Sequence, residues 1–80
     1  MERVIIVGKT YRHFKGELYK VLLIANNSEC NESNMQEMVV YEALYGKHLI
    51  WVRPYEMFNA LVDKKENPNI NQEYRFELVD

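Results

Sequence analysis

The sequence predicts a mainly β protein, a small SH3-like antiparallel barrel of about five strands with one short helix before the last strand. Short alternating or β-branched runs follow one another, separated by turns and polar loops, which favours antiparallel pairing. One of these runs, residues 18–25, is apolar on both faces, with Tyr19, Val21, Leu23 and Ala25 on one face and Leu22 and Ile24 on the other. With only 80 residues available, curling the sheet into a barrel is the simplest way to bury such a strand. An open α+β layer with the helix packed on one face is the alternative.

The first half of the chain predicts two strands with an alternating segment between them. Residues 3–7 form a β-branched run that ends at a glycine, and residues 11–15 alternate with a period close to two. In the second run Tyr11 and His13 share one face, while Arg12 points to the other. Residues 18–25 form the central strand, and the Asn- and Ser-rich residues 26–34 predict a loop, because such side chains hydrogen-bond their own backbone.

The second half predicts two further strands, the helix and a closing strand. Residues 36–44 fit either a helix or a strand, and their Val-Val-Tyr centre favours a strand. Residues 48–53 form the next strand, which ends at Pro54 because proline cannot donate to a ladder. Residues 55–62 carry an apolar stripe at helical spacing. Residues 63–73 are a polar loop, and residues 74–79 close the chain as a strand.

Composition limits the classes of protein to which the chain can belong. It is 48% apolar and 28% charged, which is typical of one folded domain, here residues 1–80, and not of a disordered tail. A net charge of −2 and a pI near 5.7 argue against a strongly basic duplex-binding protein. No apolar run approaches the ~20 residues of a membrane helix, so no membrane partner is expected. The single cysteine, Cys30, suits a reducing cytoplasm.

Charge is distributed unevenly along the chain. Residues 1–20 carry a net charge of +3, and residues 21–46 contain no lysine or arginine and carry −4. This pattern is usual for solvated faces. The sharper interpretation is that the basic segment faces an anionic ligand or an acidic patch on another subunit.

The sequence offers little support for metal or catalytic chemistry. His13, Cys30 and His48 do not have the spacing of a compact zinc site. Cys30 lies among glutamates, which disfavour a reactive thiolate. The three glycines do not form a phosphate-binding loop. We therefore expect no catalytic residue, no metal and no cofactor.

Aromatic and basic residues form the remaining candidate surface. Arginine suits bidentate recognition of carboxylate or phosphate, and tyrosine and tryptophan suit stacking. The alternative is that Trp51 and Tyr41 belong to the hydrophobic core. In that case Arg53 forms an ion pair with Glu42 or Glu56. The predicted ligand-binding residues are Tyr11, Arg12, His13, Trp51, Arg53 and Arg75.

Several short motifs in the same order resemble the domain of unknown function 1653 family. They are YRHFKG at 11–16, LYKV at 18–21, VVYEALYG at 39–46, WVRP at 51–54 and MF at 57–58. The chain departs from the family pattern after the second strand, where a histidine is expected and residues 26–29 read NNSE. It also lacks a glycine before Tyr74. The resemblance implies a small bacterial cytoplasmic protein and implies no activity.

The leading functional prediction is a non-enzymatic binding module that recognises an anionic or extended ligand, with a peptide or protein as the partner. Single-stranded nucleic acid is a weaker candidate because the pI is acidic. A second hypothesis is a small enzyme with His13 or His48 as general base, in a site completed by a homodimer. A third is a structural or regulatory subunit that functions through self-association.

Overall fold

The computed structural model describes residues 3–79, which form one antiparallel five-stranded sheet and one short helix. The sheet order is β4-β3-β2-β1-β5, and every neighbouring pair is antiparallel. The mainly β class, with a short helix before the last strand, is therefore confirmed. The elements are β1 (Thr10–His13), β2 (Leu18–Asn26), β3 (Glu37–Ala43), β4 (Ile50–Pro54), α1 (Tyr55–Phe58) and β5 (Phe76–Leu78).

Closure of this sheet into an SH3-like barrel is not confirmed. Strands β4 and β5 are its two edges, and within residues 3–79 no ladder joins them. Helix α1 packs against β3 and β4 instead. A single β-bridge between Leu61 and Tyr74 then ties the chain after α1 to the chain before β5. These segments cover one face of the sheet, which we call the core face; the opposite one is the outer face.

Strand β2 lies at the centre of the sheet, as predicted, but its side chains do not alternate strictly. A β-bulge between Val21 and Leu23 shifts the register with β3. Because an extra residue moves the following side chains to the opposite face, Ile24 packs against the core and Leu23 is 48% exposed. The prediction that Leu23 shares a face with Val21 is wrong for this reason.

The strand predicted for residues 3–7 is not formed, and we call this segment the N-terminal strap. The N–H of Ile5 donates to the Tyr55 hydroxyl at 2.8 Å, and the N–H of Ile6 donates to the Tyr11 hydroxyl at 2.9 Å. These side chains satisfy backbone donors that a neighbouring strand would otherwise have to pair. The strap thus crosses the core face outside the sheet and buries Ile5.

Arg3 fixes the start of the strap. Its Nε donates to Asn59 Oδ1 at 2.5 Å and its Nη1 donates to the carbonyl of Phe76 at 2.6 Å. The guanidinium lies 3.8 Å from the centroid of the Tyr74 ring, a cation–π distance. Burial lowers the pKa of Arg3 from its usual value, but a guanidinium is not deprotonated in proteins, so Arg3 remains a cation.

The core beneath the strap is largely aromatic. Phe58 and Phe76 stack with ring centroids 4.0 Å apart and an interplanar angle of 7°. Tyr11 and Tyr41 meet Phe58 edge to face at 5.6 and 5.1 Å. Tyrosine in this position buries a large ring and keeps a hydroxyl for hydrogen bonding, which Tyr11 uses to hold the strap.

The strap predicts a contrast between two adjacent isoleucines. Ile5→Ala should lower the free energy of unfolding by about 2–5 kcal/mol, because it empties a buried site. Ile6→Ala should change it by less than about 0.5 kcal/mol, since Ile6 is 44% exposed. Urea denaturation measures both, and equal effects would contradict the described strap.

Candidate functional site

Two adjoining clefts open beside the aromatic core. The first, which we call the aromatic cleft, has a volume of about 210 Å³. The second, the basic cleft, has a volume of about 260 Å³. His13 and Arg53 line both clefts. The remaining residues of the aromatic cleft are Tyr19, Tyr41, Tyr45, Trp51 and Phe76, and those of the basic cleft are Phe14, Lys15, Asp63, Glu66, Asn67 and Arg75.

Strand register places these side chains together. Trp51 is the cross-strand partner of Tyr41, and Arg53 is the partner of Val39. Val39 and Tyr41 are buried, so their partners lie on the same, core face of the sheet. Strand β4 is an edge, and Trp51 is consequently buried from one side only.

Tyr19 is the centre of the aromatic cleft. Its ring meets Tyr41, Tyr45 and Phe76 at centroid distances of 5.4, 5.6 and 5.7 Å, each edge to face. Its hydroxyl oxygen lies 2.7 Å from that of Tyr45. Burial raises the pKa of Tyr19, and the hydrogen bond with Tyr45 raises it further. Tyr19 is therefore neutral at physiological pH. Trp51 and Tyr45 of the same cleft are still 49% and 42% exposed.

His13 lies where the two clefts meet, at the end of β1. Its carbonyl accepts the N–H of Gly16 at 2.7 Å, which closes a tight turn, and Gly16 has a φ of +109° that glycine alone adopts readily. Within the turn, the N–H of Lys15 donates to His13 Nδ1 at 3.2 Å. This contact uses Nδ1 as an acceptor, so the proton of the neutral ring resides on Nε2.

Three cations surround this imidazole. Burial lowers the pKa of His13 from its usual value of 6.5, and the positive charges of Arg53, Lys15 and Arg75 lower it further. His13 is therefore neutral at physiological pH. The basic cleft then has three fixed positive charges facing the two carboxylates of Asp63 and Glu66.

Arg53 does not have the ion pair that its neighbours in the sequence suggest. Glu42 contacts His48, with Oε2 3.3 Å from Nδ1. Within residues 3–79, no carboxylate oxygen lies within 4.0 Å of the Arg53 guanidinium. The guanidinium carbon instead lies 5.6 Å from the centroid of the Phe76 ring, and its charge partly opposes the burial that raises the pKa of Tyr41.

The structure brings four of the six predicted ligand-binding residues together, namely His13, Trp51, Arg53 and Arg75. Tyr11 belongs to the core, being only 2% exposed, with its hydroxyl bonded to the strap. Arg12 lies on the outer face, between Leu18 and Glu77 of the neighbouring strands. Neither residue lines the two clefts.

The predicted surface lacks Tyr19, the residue with the most ring contacts in the aromatic cleft. Its signal in the sequence is alternation: Tyr19 shares a face with Val21, which is fully buried. The register of β2 with β1 pairs Tyr19 directly with Tyr11. Two aromatic residues in register on one face indicate a shared cluster.

A larger cavity, about 710 Å³, lies elsewhere, between the strap and α1. Its lining includes one basic residue, Arg3, and two acidic residues, Glu37 and Glu56. The Nε and Nη1 of Arg3 donate to Asn59 and Phe76, and its Nη2 is buried without a hydrogen-bond partner among residues 3–79. This cavity is therefore less suited to an anion than the basic cleft.

Comparison with known proteins identifies the family. The family model described as a protein of unknown function (DUF1653) matches residues 9–78. The chain belongs to the domain of unknown function 1653 family. No curated protein and no solved structure gives a significant match. All residues of both clefts lie within the matched range of this family member.

Two further observations concern the chemistry of this family member. Within residues 3–79 no group of three His, Cys, Asp or Glu side chains is arranged to hold a metal ion. In the same part of the chain, none of the helical structure has the length and apolar character that crossing a bilayer requires.

The charges around His13 predict a shift that NMR titration can measure. His13 should titrate below 6.5, and Arg53→Gln should raise its pKa because a neighbouring positive charge is removed. Arg12→Gln, which removes an equal charge on the outer face, should leave the value unchanged. Equal shifts in the two variants would contradict the described site.

The same shift predicts the pH dependence of stability. Because the folded pKa of His13 is lower than the unfolded one, the unfolded state binds more protons. The contribution of neutral His13 to the free energy of unfolding is fully present above pH 6.5 and is lost as the pH falls through the pKa of the folded state. Urea denaturation from pH 8 to pH 5 should show this loss, and His13→Gln should make the curve flatter in that range. A curve that His13→Gln leaves unchanged would contradict it.

Proposed function

We propose that this protein is a non-enzymatic binding module that holds an anionic ligand in the aromatic and basic clefts. The observation that carries the proposal is the convergence of Lys15, Arg53 and Arg75 on His13, beside an exposed aromatic wall. Like charges brought together repel one another, and a bound anion relieves that repulsion. Arg53, which has no carboxylate oxygen within 4.0 Å among residues 3–79, is suited to bidentate recognition of the anion.

The shape of the clefts favours a compact anion over an extended peptide. Each cleft holds only about 210 or 260 Å³, and both open beside the hairpin turn that follows β1. A peptide bound as an added strand would instead use the backbone of an edge strand. The two clefts instead offer side chains to a ligand, with aromatic rings in one cleft and cations in the other.

The surroundings of His13 support binding in preference to catalysis. A general base becomes positively charged when it accepts a proton, and the nearby Arg53, Lys15 and Arg75 disfavour that charge. His48, the other candidate base, lies in an exposed turn, paired with Glu42 and outside both clefts. The enzyme hypothesis therefore has less support than the binding module.

The proposal includes a bacterial, cytoplasmic setting. The lone cysteine supports a reducing compartment, and the family resemblance supports a bacterial source. The proposal also keeps the SH3-like barrel as the fold type to which this five-stranded sheet belongs.

Anion titration tests the proposal. Inorganic phosphate or sulfate, added at constant ionic strength, should shift the NMR signals of His13, Lys15 and Arg75. Arg53→Gln should weaken binding about tenfold or more, because hydrogen bonds to charged groups contribute about 1.5–3 kcal/mol each. Arg12→Gln is the matched control and should change the affinity less than twofold.

Salt dependence provides a second measurement on the same samples. Raising the concentration of sodium chloride should weaken anion binding, since screening reduces the attraction of exposed charges. Shifts spread evenly over all lysines and arginines, or affinity that is independent of salt, would overturn the proposal.

A further inference from the structure

The two clefts adjoin one another, and His13 and Arg53 line both. Pockets for small ligands usually enclose roughly 300–1,000 Å³. Neither cleft reaches this range alone, at about 210 and 260 Å³, but the two together do. A ligand of ordinary size therefore has to occupy both, with one part among the rings and one part among the cations.

The aromatic cleft is suited to a planar ring. Trp51 and Tyr45 are about half exposed, so each offers a ring face or edge to a ligand without leaving its place. The hydroxyls of Tyr19 and Tyr45 lie at the same cleft and can donate or accept hydrogen bonds at the edge of a heterocycle. Every nucleobase has a π-face that stacks on such side chains.

The basic cleft is suited to a single phosphate group. Arg53, Arg75 and Lys15 supply positive charge, and the Nε2–H of His13 supplies a directed donor. A carboxylate, with one charge and two oxygens, would leave part of this set unused, whereas a phosphate monoester carries up to two charges on three oxygens. The carboxylates of Asp63 and Glu66 line the same cleft and disfavour the further charges of a polyphosphate.

We infer that the ligand is a nucleoside monophosphate, with its base in the aromatic cleft and its phosphate in the basic cleft. This inference rests on the proposed function and names the chemical class of its ligand. The nucleotide can be free or can be the phosphate-bearing end of a nucleic acid strand, because both present the same base and phosphate. A long strand bound along the surface is not expected, since the chain carries a net charge of −2 and such binding depends on many basic contacts.

The single tryptophan of the chain lies in the site and reports on it. Titrations compare adenosine monophosphate, adenosine and inorganic phosphate by Trp51 fluorescence and by NMR. The monophosphate should bind at least tenfold more tightly than adenosine or phosphate alone, because it fills both clefts. The other three nucleoside monophosphates should also bind, with differences that reflect stacking and the tyrosine hydroxyls.

Two variants separate the halves of the site. Trp51→Ala, followed by NMR, should weaken adenosine monophosphate roughly five- to hundredfold, the usual cost of removing one stacked aromatic, and should leave phosphate binding unchanged. Ile50→Ala is the matched control on the same strand, because Ile50 is 64% exposed and its alternate position puts it on the outer face. Arg53→Gln should weaken both ligands.

Further outcomes decide between the possibilities. Phosphate binding that depends on Arg53, with no gain for the nucleotide and no effect of Trp51→Ala, would overturn the nucleotide inference and leave the proposed function intact. No response to any of these anions would overturn both. Tighter binding of a 5′-phosphorylated tetranucleotide than of its dephosphorylated form would support a strand end as the source. Oligonucleotide binding that is indifferent to the phosphate and to Trp51 would overturn the inference.

Discussion

The stacking of Phe76 on Phe58 is the contact on which the rest of the structure depends. It joins β5 to α1 with ring centroids 4.0 Å apart, and these two elements are short, with three and four residues. Neither would be stable alone, since short helices and single strands are marginal without tertiary packing. Phe58 also packs against Tyr11 and Tyr41 of the sheet, so the stack closes the core.

The same stack borders the proposed binding site, because Phe76 lines the aromatic cleft. Phe76 contacts His13, Tyr19 and Tyr41 at centroid distances of 4.9, 5.7 and 5.7 Å, and Arg53 lies over its ring. The wall of the aromatic cleft is therefore the edge of the hydrophobic core. A site built in this way is held in place before a ligand arrives, which reduces the entropy lost on binding. It also ties the shape of the site to the stability of the fold.

The order of the elements could be predicted from the sequence, because each element depends on residues close together in the chain. Pro54 ends β4, and the alternation in β1 correctly separates Arg12 from Tyr11 and His13. The burial of Tyr11 and His13 could not be predicted in the same way. Tyr11 is buried because α1 and the strap cover it, and α1 comes from a distant part of the chain. His13 lies where two clefts meet, and distant residues such as Arg53 and Arg75 help to form them.

The two errors in the fold have a similar origin. Residues 3–7 have the composition of a strand, yet their N–H groups bond to the hydroxyls of Tyr55 and Tyr11, and the first of these is 50 residues away. No local pattern predicts that pairing. The bulge after Val21 likewise depends on the register with β3. The sequence of a strand that is apolar on both faces gives no sign of a bulge, because the residues after the bulge are apolar whichever face they lie on.

The positive charge at the site comes from residues that the fold brings together, and only partly from the basic first segment of the sequence. The sequence suggested that the basic residues 1–20 face an anion, but of their cations only Lys15 lines the basic cleft, and Arg53 and Arg75 come from later in the chain. The turn after β1, strand β4 and the segment before β5 meet at His13. Together they create a local positive region in a protein whose net charge is −2. An anion bound there would oppose the effect of these cations and raise the pKa of His13.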